Sequence, residues 1–174
     1  MPARRPRTAS PSPISRHVLP VGLVTLAVLM LAPGHAKAAD LAQGLQVYKE
    51  ANCVGCHKWH GGGGGGYGGA ALSLRETGLD RAGLIEVVRC GRPATRMPYH
   101  DRSAYRTVDC YGGTTRSDLG EEFPPTPEDY LREEEIEAVA DYVIAEVQGK
   151  GEPTYEDCVA FWGEGEKQCE AMKN

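Results

Sequence analysis

The chain has 174 residues, with 19 Lys+Arg against 24 Asp+Glu and only two Phe and two Trp. That length fits one domain once the N-terminal stretch is set aside. The acidic excess excludes the basic footprint that a nucleic-acid partner needs.

Arg4, Arg5, Arg7 and Arg16 form a basic start without an acidic residue, followed by an apolar run from Val18 to Ala32. About fifteen apolar residues is the length of a signal h-region and short for a membrane span. Ala36-Lys37-Ala38 gives the small-x-small pattern of a cleavage site. Residues 1–38 therefore read as a signal peptide, cleaved near Ala38 or Ala39, and the mature protein is expected in the periplasm with no membrane span. Removing Arg4, Arg5, Arg7, Arg16 and Lys37 leaves 14 basic against 24 acidic residues, a net of −10. From Ser117 onward there are four basic and seventeen acidic residues. The domain proper is expected over residues 39–148, with an acidic C-terminal extension over 149–174.

The first predicted element is a helix over residues 40–52, with Leu41, Gly44, Leu45 and Tyr48 on one face. Next comes Cys53-Val54-Gly55-Cys56-His57, a C-x-x-C-H attachment signature for haem c. The two thiols add across the haem vinyl groups and His57 binds iron from the proximal side. A zinc site would need a second close cysteine pair, and Cys90, Cys110, Cys158 and Cys169 provide none. A redox dithiol would need βαβ patterning, which is not visible. Residues 61–66 are six glycines, read as a flexible linker in preference to a backbone that covers the haem edge. Trp59 is a candidate to pack on the haem.

The last helix is expected over residues 131–148, with Ile136, Val139, Ala140 and Val143 in a stripe and Tyr142 beside it. Pro124, Pro125 and Pro127 precede it, Glu133 to Glu135 suit its N-terminal dipole, and Gly149 and Gly151 stop it. Gly44 would let the first and last helices cross closely.

These stretches resemble a small class I cytochrome c over about residues 40–148: Gly44-x-x-x-Tyr48, Cys53 to His57, Met97-Pro98, and Glu135-Ile136-x-x-Val139-x-x-Tyr142-Val143. The segment 79–91, with Leu84, Val87 and Val88, resembles the helix that precedes the ligand methionine in small class I cytochromes c. The resemblance implies an all-α cytochrome c fold: a few helices wrapped around one covalent haem c, here with long loops and a C-terminal extension. It also implies electron transfer as the activity. Two departures stand out. Where the family commonly has Gly-Pro, whose carbonyl steadies the proximal His, this chain has Gly69-Ala70-Ala71-Leu72. A long insertion, residues 99–123, separates Met97 from the last helix.

After signal removal the remaining methionines are Met97 and Met172, and the remaining histidines are His57, His60 and His100. His60 is too close to His57 to reach the opposite haem face, and Met172 lies in the tail. Met97 is therefore the expected distal ligand, with His100 as its rival and an open sixth position as the third alternative. His/Met ligation suits a carrier, whereas an open position would permit ligand binding or catalysis. The four other cysteines allow three pairings, of which neighbours, Cys90–Cys110 and Cys158–Cys169, are preferred. The first would brace the Met97 loop. Arg89, Arg92, Arg96, Arg102 and Arg106 lie near Met97 and are candidates for a basic docking rim. The leading function is a single-electron carrier between redox proteins, such as a periplasmic dehydrogenase donor and an oxidase or cytochrome acceptor. The alternatives are a haem enzyme or ligand-binding haem protein, and a haem-bearing subunit of a larger complex.

Overall fold

The computed structural model describes residues 34–64 and 71–173, with side chains from Asp40 onward. Residues 1–33 of the expected leader (1–38) and residues 65–70, which hold the end of the glycine run, lie outside the described residues. The described residues form seven α-helices: α1 (Gly34–Glu50), α2 (Cys53–His57), α3 (Arg81–Cys90), α4 (Arg116–Leu119), α5 (Glu133–Tyr142), α6 (Tyr155–Trp162) and α7 (Lys167–Glu170). A π-helical turn, Val143–Val147, continues α5. Among the described residues there is no strand, only an isolated bridge between Ala104 and Val108. No described helix is long and apolar enough to cross a membrane.

α1 begins at Gly34, six residues before the expected start, because Ala36, Lys37, Ala38 and Ala39 are good helix formers. Its packed face is the predicted one around Gly44 and Tyr48, with Val47 added. A Cβ at Gly44 would overlap the Ala138 carbonyl oxygen and lie 2.6 Å from Tyr142 Cβ. The missing side chain is thus what lets α1 and α5 cross so closely. Tyr48 lies in that crossing, 1% exposed, with its ring 5.6 Å from Tyr142. α5 starts where Glu135 accepts a hydrogen bond from the Arg132 amide, and Ile136, Val139, Ala140 and Val143 are all buried as the stripe predicts. α3 is capped by Asp80, which accepts from the Gly83 amide.

The extension is folded onto the same compact unit as the helices before it. Thr154 and Asp157 form a capping box at the start of α6. Phe161 is 4% exposed within the main core, against Tyr48 and Trp59. It supplies apolar volume to a core that is short of aromatic residues.

Candidate haem site

α2 is a five-residue helix set between two residues of positive φ, Asn52 and Lys58. The Tyr48 hydroxyl donates to the Lys58 carbonyl (2.9 Å), fixing the end of α2 to α1. Burial raises the Tyr48 pKa, so the hydroxyl stays protonated and available as that donor. Cys53 and Cys56 are free, whereas Cys90–Cys110 and Cys158–Cys169 are disulfides with Cα separations of 5.8 and 5.4 Å. Packing against the core pushes the Cys53 thiol up to about 12. That is the reverse of the acidic thiol on which a redox dithiol depends.

His57 Nδ1 donates to the Leu72 carbonyl at 3.1 Å. Burial lowers the His57 pKa, with the Leu72 carbonyl opposing it, so the ring is neutral near pH 7. A neutral imidazole with Nδ1 engaged leaves Nε2 as the metal-binding nitrogen. Leu72 therefore does here what the family's Pro carbonyl does, from the stretch that departs from the Gly-Pro pattern. Its side chain is 63% exposed, an apolar surface beside the motif.

The glycine stretch is not a loose linker where it is described. Gly61 and Gly63 are buried with φ of 76° and 66°. A Cβ on Gly61 would overlap Val147, and one on Gly63 would overlap the Ala71 carbonyl. Gly63 donates to the His57 carbonyl (3.2 Å), Leu74 to Gly61 (2.7 Å) and Gly64 to Ala71 (2.8 Å). Close backbone approach, legible only in three dimensions, decides against the linker reading. Trp59 packs on Phe161 and His60, and His60 Nδ1 accepts from the Gly62 amide.

Met97 sits on the loop after α3, half-buried. Its amide donates to Thr95 Oγ1 (3.1 Å) and its carbonyl accepts from Arg92 (3.2 Å). Gly91, at φ 67°, lets this turn close against Pro124. His100 is 5% exposed and bonded through its backbone to Val88 and Leu131. Its Nδ1 is enclosed without a partner. Met172 lies just beyond α7, its amide donating to Cys169. Tyr105 and Tyr111 donate to the carbonyls of Cys90 and Gly91, tying the insertion to the end of α3.

Arg92, Arg96, Arg102 and Arg106 are exposed and have no carboxylate within ion-pair distance among the described residues. Arg89 departs from the expected rim. It is half-buried between Asp101 (3.4 Å) and Glu133, because it projects from α3 towards the start of α5 and pairs there. Arg102 lies over the Tyr130 ring (4.7 Å), and Arg116, outside the expected set, lies over Phe123 (4.5 Å).

The residues present fit haem c: two free thiols flank a two-residue spacer, and the adjacent imidazole has its outer nitrogen already engaged. A family model described as cytochrome c matches residues 41–145. The chain belongs to the cytochrome c family. It carries covalent haem c and is, in class, an electron-transfer protein. No curated protein and no solved structure matches it. Sequence reasoning missed Arg75 and Phe161. An aromatic pair bracketed by two cysteines in an otherwise acidic tail was a signal for Phe161, whereas nothing in the sequence marked Arg75.

Proposed function

We propose that this chain is a periplasmic single-electron carrier whose haem is joined to Cys53 and Cys56, with iron held between His57 and Met97. Bound haem c supplies a one-electron ferric/ferrous couple. His57 contributes a neutral, oriented imidazole, with Leu72 fixing its tautomer. Met97 contributes a thioether from a loop braced on both sides of the residue. The observation that carries the choice of Met97 is the contrast with His100. His100 is 5% exposed, with Nδ1 enclosed and its backbone bonded to Val88 and Leu131, while Met97 is half-buried at a turn. His/Met ligation raises the potential and fills the sixth position, as a carrier requires.

The basic leader and two disulfides support export to an oxidising compartment. Arg92, Arg96, Arg102 and Arg106 form the docking rim, with redox proteins of acidic surface as partners. The donor is a periplasmic dehydrogenase and the acceptor an oxidase or another cytochrome. Met97→Ala should lower the midpoint potential, abolish the thioether–iron band and admit carbon monoxide. Should His100→Ala cause these changes while Met97→Ala does not, His100 is the ligand. Carbon monoxide binding to the wild type would favour the open, ligand-binding alternative.

A further inference from the structure

Behind His57, residues 58–64 pair with residues 71–75 through the Gly64–Ala71 and Leu74–Gly61 backbone bonds. Arg75 closes this pairing. Its side chain is 7% exposed, and its guanidinium faces three acceptors on two segments. Nη1 donates to the His60 carbonyl (2.9 Å), Nε donates to the Gly151 carbonyl, and Nη2 lies 3.6 Å from Asp157 Oδ2. The Arg75 carbonyl accepts from the Gly149 amide at 2.9 Å. One residue thus joins both stems of the proximal loop to three points of the extension.

The extension has its own anchorage. The Lys49 ammonium on α1 donates to the Phe161 carbonyl and lies 4.7 Å over the Phe161 ring. Phe161 meets Tyr48 edge-on at 6.1 Å, and Cys158–Cys169 closes α6 onto α7. Beside Arg75 the seam is a cavity of about 250 Å³, lined in part by Trp59, His60, Asp157 and Phe161. There the guanidinium adds side-chain bonds to the Gly149–Arg75 backbone bond and to the packing of Gly61 on Val147.

We propose that the C-terminal extension braces the proximal side of the haem, with Arg75 as the positioning residue. By fixing the loop that presents the Leu72 carbonyl, it sets how strongly His57 donates electron density to iron and hence the reduction potential. The inference rests on His57 being the proximal ligand. A hydrogen bond to Nδ1 makes an imidazole a stronger donor, which favours the ferric state. Removing the buried guanidinium takes away its hydrogen bonds to the His60 and Gly151 carbonyls and its ion pair with the exposed Asp157, so the loop opens more often.

The test uses the full-length haem protein with Arg75→Gln and, as a milder change at an exposed partner, Asp157→Asn. Paramagnetic NMR of the oxidised protein follows exchange of the His57 Nδ1 proton for deuterium, and electrochemistry gives the midpoint potential. Exchange should be faster by about tenfold in Arg75→Gln. It should be faster by less in Asp157→Asn, with the potential rising in the same order and the thioether–iron band unchanged. Should Arg75→Gln fail to fold, Asp157→Asn decides alone. Lower thermal stability with exchange and potential as in the wild type would overturn the proposal, leaving Arg75 a staple for the tail. Absence of hyperfine-shifted His57 ring resonances in the wild type would overturn the ligand assignment, and the brace with it.

Discussion

Behind His57 the chain is held by backbone: Gly61 and Gly63 fit where no side chain would, and amides of the loop donate to His57, Gly61 and Ala71. Around Met97 it is held by side chains: the Cys90–Cys110 disulfide, Tyr105 and Tyr111 on α3's last carbonyls, and a cluster of Tyr99, Tyr105, Tyr130 and Phe123. On the proposed ligation the two loops serve one site, yet they should fail in different ways. Gly61 and Gly63 leave no room for a Cβ, whereas around Met97 only Gly91, at the turn before it, is as tightly placed, and Gly112 and Gly113 in the insertion stand in open space.

The largest expected effect lies at the motif between them. Cys53→Ser or Cys56→Ser should weaken covalent attachment, and His57→Ala should leave a poorly folded chain. Mass spectrometry of the purified protein reads the first, and a mass equal to the bare mature chain for the wild type would remove the basis of the comparison. Next come the glycines. Gly61→Ala, at positive φ and overlapping Val147, should cost about 3 kcal/mol in urea unfolding. Gly112→Ala in the insertion, at φ 72° in open space, should cost about 1 kcal/mol. Equal costs would show that the two loops are held alike.

Replacing Cys90 and Cys110 together by Ala should destabilise by about 3 kcal/mol and weaken the thioether–iron band. Replacing Cys158 and Cys169 should leave that band intact, because this pair closes the extension on the proximal side. The smallest effect is at the rim. Arg96→Glu with Arg102→Glu should slow electron transfer from the native donor by about tenfold at low salt, and the difference should fade as salt is raised. A wild-type rate that rises with salt would place docking at the acidic surface instead.

Period and motif carried much of this protein. The spacing of Leu41, Gly44, Leu45 and Tyr48 marked the face of α1, and Ile136 to Val143 marked that of α5. The α5 stripe is buried where the pattern put it, and on α1 Gly44 and Tyr48 are buried with Leu41 and Leu45 half-buried, since a helix with one apolar stripe turns it inward. Cys53-Val54-Gly55-Cys56-His57 is local, so its chemistry was readable without a fold. Even the partner of His57 was half legible, because the matching stretch ended at Leu72 although the residue type was unexpected.

What the order of residues left open was everything that depends on which distant atoms meet. Six glycines in a row have the composition of a linker, and only the approach of Val147 and Ala71 makes two of them obligatory. Arg89 looks like its neighbours in sequence, but the start of α5 brings Glu133 to it and removes it from the rim. The acidic tail reads as solvated, yet Phe161 enters the core and Arg75 binds it to the proximal loop, across 76 residues at Gly151. The sequence by itself marked α1, α5 and the haem motif, because these arise from groups a few residues apart, while the short α4, α6 and α7 were not read from it. The tertiary structure alone decided how the loops of His57 and Met97 are held, because packing and hydrogen bonding join residues that the chain keeps far apart.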